Sequence, residues 1–294
     1  MIADPRSDLQ RHAQRLLDEG VGTNAHPCKV CGEPALVYDV LDFAMTCNVP
    51  RMRSGAMGVP VYYHRCVACG FVFTSFCDGF TATQWITHIY NEAYYREVDP
   101  DYSERRPRGN ALAVDALLAG RQRSWIGLDY GGGNGRTAAM LREMGYRYES
   151  YDPFGHSDVT TEAKECYDFC SAFEVAEHAH DPSSFVQEIV GLCSRGQLAV
   201  LVGTHVNDGH IREGGRLDWW YASPRNGHVS LHSRLSLQKL AQANGLDCVS
   251  LTEQTHLFSR GYTKCEALLF LLSGKIRTRV RRALRSRMIP ASSP

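Results

Sequence analysis

Nine consecutive residues, Gly127-Leu128-Asp129-Tyr130-Gly131-Gly132-Gly133-Asn134-Gly135, carry the plainest chemical signal in this chain. The segment Ser124–Leu128 leads into Asp129, and a helical pattern runs from Arg136 through Met144. A strand, a glycine turn and a helix in that order build a nucleotide pocket at the carboxyl end of the first strand of a doubly wound sheet. Glycine suits such a turn because a Cβ would block both the bend and the approach of a ligand. A glycine loop also fits an ordinary turn, so the residues beyond it must decide between the two. The alternating stretch Tyr146–Tyr151 reads as a second strand and ends at Asp152. That acid stands about twenty residues beyond the glycines, where a carboxylate takes the hydroxyls of a ribose. No lysine follows the loop as in a P-loop.

A second chemistry comes from cysteine. Cys28-Lys29-Val30-Cys31-Gly32 and Cys66-Val67-Ala68-Cys69-Gly70 are two Cys-x-x-Cys-Gly knuckles separated by residues 32–65. Each knuckle aims two thiolates at one point, and two knuckles complete a tetrahedral four-cysteine zinc site. Such a site leaves no open position for water, so the metal is structural. A redox Cys-x-x-Cys would not explain two copies, and disulfides need an oxidising compartment that nothing else suggests. The remaining Cys47, Cys77, Cys166, Cys170, Cys193, Cys248 and Cys265 read as ordinary thiols.

The run Asp-x-Gly-x-Gly-x-Gly from Asp129 to Gly135 resembles the first motif of class I S-adenosylmethionine-dependent methyltransferases. The resemblance extends from Cys28 to Leu272 and implies an α/β fold, a Rossmann-like doubly wound sheet with a small N-terminal zinc-ribbon domain. It implies that Asp129, Gly131, Gly133, Gly135 and Asp152 bind the cofactor. In such enzymes the segment before the first motif closes as a lid, which makes Tyr90, Tyr95 and Arg106 candidates to meet the methionine carboxylate; a tyrosine-rich linker is the other reading. Tyr167–Phe173 reads as the fourth strand, placing Phe173 and Glu174 beside the cofactor. Glu174-Val175-Ala176-Glu177-His178-Ala179-His180-Asp181-Pro182 then resembles the family's signature after that strand, and Gln197–Thr204 reads as the fifth strand. In one helical turn Glu174, Glu177 and His178 share a face. Three readings of His178 stand open: a general base for an acceptor hydroxyl, a partner of both glutamates around Mg²⁺ as in some quinone O-methyltransferases, or an orienting network.

Farther on, Leu217–Pro224 holds Trp219, Trp220 and Tyr221, and Gly227-His228-Val229 follows. Aromatics before a Gly-His-Val segment resemble bacterial carbohydrate and secondary-metabolite methyltransferases. Such rings stack on sugar faces, with His228 as an alternative base and His205 on the acceptor side; core packing is the other reading of the tryptophans. The expected reaction is O-methylation of a sugar hydroxyl on a glycan, nucleotide sugar or glycosylated metabolite. The alternatives are a quinone or other small-molecule O-methyltransferase, and a zinc-dependent binding module with a vestigial pocket. Intact Asp129, glycine run and Asp152 speak against the last.

Composition is consistent with this. The 294 residues, 44% hydrophobic, suit one large domain and a small one. The expected divisions are an extension (1–26), the zinc ribbon (27–80), a lid (81–120), the cofactor domain (121–273) and a tail (274–294). No stretch has the length of a spanning helix, and the first twenty residues have no apolar leader, so a cytoplasmic protein is expected. The tail holds Lys275, Arg277, Arg279, Arg281, Arg282, Arg285 and Arg287 without an acid, leaving −7 on residues 1–274 of a formally neutral chain. Ile276, Val280, Leu284 and Met288 add an apolar stripe, which suits the anionic inner face of a membrane; a solvated tail is the other reading. Nucleic acid is a weaker partner because the body is acidic.

Overall fold

A computed structural model describes residues 5–48, 50–52, 55–119, 125–155, 157–159, 167–193 and 196–288. Gly120, Ser124, Cys166 and the side chains of the tail cations other than Arg277 lie outside the described set. Helix α1 (Pro5–Asp18) precedes strands β1 (His26–Pro27), β2 (Pro34–Asp42), β3 (Pro60–Cys66) and β4 (Val72–Phe73). Helices α2 (Ala82–His88) and α3 (Arg105–Leu118) follow, with a π turn at Tyr94–Val98 and a 3₁₀ turn at Pro100–Tyr102 between them. Next come β5 (Ile126–Tyr130), α4 (Arg136–Glu143), β6 (Arg147–Tyr151), β7 (Phe169–Phe173), α5 (Pro182–Leu192) and β8 (Leu198–Gly203). The chain continues through β9 (Ser230–Leu231), α6 (Arg234–Ala243), β10 (Asp247–Ser250), β11 (Thr255–Arg260) and α7 (Lys264–Met288).

The large sheet has the order β10-β11-β8-β7-β5-β6. Its β6, β5, β7 and β8 are parallel, and β11 and β10 join antiparallel. Strand β8 is an unbroken apolar run with every residue buried, as expected of a central parallel strand, and the apolar run of β7 is broken only at Ser171. Strand β11, Thr-His-Leu-Phe-Ser-Arg, is hidden from sequence reasoning because polar residues interrupt its buried run. The Asp-Pro of the signature starts α5: Asp181 accepts from the Ser183 and Ser184 amides and Pro182 occupies the first turn.

The small sheet is antiparallel, in the order β1-β2-β3-β4-β9. Its last strand comes from far along the chain: Val72 pairs with Leu231 and Phe73 with Ser230. Leu217, Trp219, Tyr221, Val229 and Leu231 share one apolar core with Leu9, Val61, Tyr63, Phe76 and Trp85. The N-terminal four-cysteine region is thus stitched to the body of the large sheet by a late segment.

Candidate active site and four-cysteine cluster

At the tips of β5 and β6 the glycine loop turns back on itself. Gly131, Gly133 and Gly135 have φ of +70°, +60° and +72°, the left-handed region that side chains resist. Space demands glycine as well: a Cβ on Gly131 would lie 2.4 Å from Val175, and one on Gly133 2.1 Å from the Tyr102 hydroxyl. The Gly131 amide donates to the Tyr151 carbonyl at 2.7 Å. Asp129, 3% exposed, lies beneath the loop and accepts from Ser171 Oγ at 2.7 Å. Burial pushes its carboxyl up to about 7. Asp152 accepts from the Gly133 and Phe154 amides, both at 2.8 Å, so its position is set by backbone donors.

Above the loop opens a cavity of about 510 Å³, within the range for small-molecule and cofactor sites. Asp129, Gly131, Gly133, Asp152, Phe173, Glu174, Tyr90 and Arg106 line it, as does His178. The Tyr90 ring stands 5.9 Å from Trp85, 5.8 Å from Phe154 and 6.1 Å from His178. Arg106 pairs at 2.8 Å with Asp99, whose carboxyl is raised by burial. Trp85, Tyr102 and Phe154 escape sequence reasoning; Pro153-Phe154 directly after Asp152 is the signal that could have found one of them.

The Glu174–His178 segment is not the helical turn expected. Glu174 has φ +54°, the sole positive value outside glycine among the described residues, and a turn over Ala176–His178 follows. A residue held in this sparsely populated region is characteristic of functional sites. Burial and the neighbouring Glu177 raise the Glu174 carboxyl well above the usual range. Glu177 is fully buried and accepts from the Tyr221 hydroxyl and, at 2.9 Å, from Thr204 Oγ1. The two glutamates therefore do not frame a magnesium site with His178. The ligand atoms that converge, within 4.8 Å of one another, belong to Glu177, His178 and His228. One carboxylate and two imidazoles do not suit magnesium, which takes oxygen ligands.

The two candidate bases separate. His178 Nδ1 faces the Gly227 carbonyl at 3.1 Å; as donor there, the neutral ring keeps a lone pair on Nε2. Burial pulls its pKa below the ordinary imidazole value, against the pull of Glu177. His228, 4% exposed, donates through Nδ1 to the Tyr221 carbonyl at 2.7 Å, and burial drops it to about 3. It stands behind His178, ring centroids 5.0 Å apart, and does not line the cavity.

The expected sugar platform is likewise corrected. Trp219 (5% exposed) and Tyr221 (1%) are core residues, and the Trp219 ring stacks on His210 at 5.1 Å. Trp220 is exposed beside His205, centroids 5.0 Å apart, and none of the four lines the cavity. The Trp219 and Tyr221 rings fill the core shared with the small sheet.

Cys28, Cys31, Cys66 and Cys69 converge, with Sγ–Sγ distances of 3.7 Å (Cys28–Cys69) and 3.6 Å (Cys31–Cys66). A tetrahedron with metal–sulfur bonds of about 2.3 Å has edges of about 3.8 Å, so the cluster has the dimensions of a zinc site. The Val30 and Cys69 amides each point at a cysteine sulfur, at 3.4 Å. Contact with Cys69 lowers Cys28 to about 5, in the thiolate range.

A parallel-rich sheet with a glycine loop and a ribose-type acid at its carboxyl edge defines a nucleotide-cofactor enzyme of the class I methyltransferase type. The methyltransferase-domain family matches residues 102–251, about half of the chain, and this chain belongs to that family: it is an S-adenosylmethionine-dependent methyltransferase. No curated protein matches it. Solved structures similar to it include magnesium protoporphyrin IX methyltransferase from Synechocystis PCC 6803 with bound S-adenosylhomocysteine, at 15% identity over 59% of this chain and 90% of that one, TM-score 0.36. Mitomycin 7-O-methyltransferase is 14% identical over 63% of this chain and 62% of that one, TM-score 0.42. An O-methyltransferase family protein from Burkholderia thailandensis is 14% identical over 63% and 64%, TM-score 0.41.

Proposed function

We propose that the enzyme methylates a hydroxyl of a flat-faced acceptor, with a sugar hydroxyl as the preferred substrate, and that His178 is the general base. One observation carries this reading: His178 is a cavity-lining imidazole whose Nδ1 faces the Gly227 carbonyl and whose Nε2 has no hydrogen-bond partner among the described residues, in the same cavity as the Tyr90, Trp85 and Phe154 rings. Those rings offer faces for a pyranose or a planar ring, the role sequence reasoning gave to Trp219–Tyr221. S-adenosylmethionine supplies the methyl group. Gly131 and Gly133, which line the cavity, would cradle its methionine end, with Gly135 behind them completing the turn; Asp152 would take the ribose hydroxyls through lone pairs left over from its two amide contacts, and Arg106 would close over it. When bound, the cofactor would deliver that methyl to the acceptor oxygen, and His178 Nε2 would take the proton that the hydroxyl gives up. A positioned base of this kind contributes about 10²–10⁴ in rate.

The four-cysteine cluster holds one structural zinc in this reading, supported by the sulfur spacing. Helix α7 docks its basic end on an anionic membrane surface; Ile276, 60% exposed, supports this, while among the described residues no helix is long and apolar enough to cross a membrane. The deciding experiment is methyl transfer from labelled S-adenosylmethionine to a panel of sugar, quinone and RNA acceptors. Turnover of a sugar hydroxyl, lost in His178→Asn, is the expected result. Turnover confined to quinones or RNA would overturn the sugar assignment.

A further inference from the structure

The first cysteine knuckle reaches into the active site through a lysine. Lys29 lies between Cys28 and Cys31, and its side chain is only 14% exposed. Its ammonium has three protons and three acceptors: the Thr74 carbonyl at 3.1 Å, the Asp78 carboxylate, and the His180 carbonyl at 3.1 Å. The stem passes over the Phe73 ring of β4, with Nζ 5.3 Å from the centroid. Thr74 and Asp78 belong to the ribbon region. His180 does not: it lines the cavity two residues after His178 and one before the Asp181 cap of α5.

The other carbonyls of this turn are held from the same side. The Glu177 carbonyl accepts from the Val229 and Ser230 amides at 2.9 and 3.0 Å, and the Ala179 carbonyl from Ser230 Oγ at 2.7 Å. Ser230 is in β9, the strand that joins the ribbon sheet. The second knuckle is tied to the same segment, because Ser233 Oγ donates to the Cys69 carbonyl. The backbone on both sides of His178 therefore hangs from the ribbon, and Lys29 is its one charged strut among the described residues.

We propose that Lys29 is a positioning residue, which transmits the geometry of the first cysteine knuckle to the His178 turn and so sets where the base stands in the cavity. This rests on His178 being the base. An ammonium fits because one half-buried cation satisfies three acceptors from two parts of the chain; an apolar side chain of equal length would remove the charged link between the Asp78 carboxylate and the His180 carbonyl.

The test needs no acceptor, so its outcome is independent of the substrate panel. Zinc-loaded protein labelled with ¹³C-histidine is titrated by NMR, with the His178 signal assigned by its loss in His178→Asn. The titratable and charged groups facing that ring are Glu177, Asp99, Arg106, His228 and Tyr90, and none of them is altered in the variants. In Lys29→Met the His178 midpoint should move by about half a unit or more, or its line should split, because the ring relocates relative to Glu177. Zinc should stay at one per chain, and S-adenosylhomocysteine affinity within about two-fold of the parent by calorimetry. Lys29→Arg, which keeps the charge, should restore the parent midpoint. An unchanged His178 titration in Lys29→Met would overturn the proposal. So would a change that appears only together with zinc loss or lost cofactor affinity, which marks a general folding role; Lys29→Arg then repeats the measurement in a folded background, and a midpoint unlike the parent's there counts against the proposal as well.

Discussion

The two walls of the cavity are built in different ways. The cofactor wall is local and made of backbone: glycines in left-handed conformations, with Asp129 and Asp152 immobilised by a buried hydroxyl and by amides. The wall proposed for the acceptor is non-local and made of side chains. His178 follows β7, Tyr90 and Trp85 come from before the sheet, and the turn that carries His178, the proposed base, is pinned by β9 and by a lysine from the first knuckle. A backbone cradle tolerates change elsewhere in the molecule, whereas a wall assembled from distant segments depends on whatever holds those segments together.

The strongest break of this contrast is metal removal. Structural zinc contributes about 10–16 kcal/mol in small zinc modules, so Cys66→Ser or exhaustive chelation should unfold the ribbon and with it the acceptor wall. Elemental analysis of metal-replete protein should give one zinc per chain, and circular dichroism should follow its loss. A chain that holds no zinc yet melts unchanged would refute the scaffold role.

Next in size is the base. His178→Asn should lower turnover by about 10²–10⁴ while cofactor affinity holds, because the residue belongs to the acceptor wall alone. His228→Asn, behind it, should chiefly perturb stability and the setting of His178. With its pKa below the ordinary imidazole value, His178 is neutral at pH 7. Turnover should therefore rise with pH through a midpoint below 6.5 and be flat around neutrality; a rate still climbing above pH 8 would point to a different base.

A smaller effect belongs to the cofactor wall. Asp152→Ala should weaken S-adenosylmethionine binding by about 1–3 kcal/mol, read by calorimetry, with the zinc content intact. Unchanged affinity would sink the ribose assignment. Acid stability offers a related reading. Burial lowers His228 to about 3 and His232 and His256 to about 4, so the unfolded chain binds protons more readily than the folded one below the ordinary value near 6.5. Stability should fall as pH drops from about 6.5 towards 4, and replacing His256 by a neutral isostere should blunt that fall. Smallest of all is Trp220→Ala, which should leave turnover within about two-fold, since the ring does not line the cavity.

The reach of the sequence divides along the same line. The doubly wound sheet, the glycine loop, Asp152 and the four cysteines are spelled out by short-range patterns, because a strand-turn-helix unit and a knuckle are satisfied within a few residues of themselves. Residue type at fixed spacing is then enough, and the class of cofactor and the convergence of the four cysteines come from it. Which histidine faces the cavity was not determined this way. His228 is buried and His178 half-buried beside Glu177, and only the packing of Tyr221 and Gly227 against them decides that one ring opens towards the cavity while the other backs it. Trp219 and Tyr221 look like a sugar platform along the chain but are core residues, because β9 carries their segment into the ribbon sheet. Trp85, Phe154 and Lys29 gain their roles the same way, through contacts across long stretches of sequence. Short-range geometry is encoded where it is used; the acceptor wall exists only once distant segments have paid their ordering entropy together, so tertiary structure alone decided it.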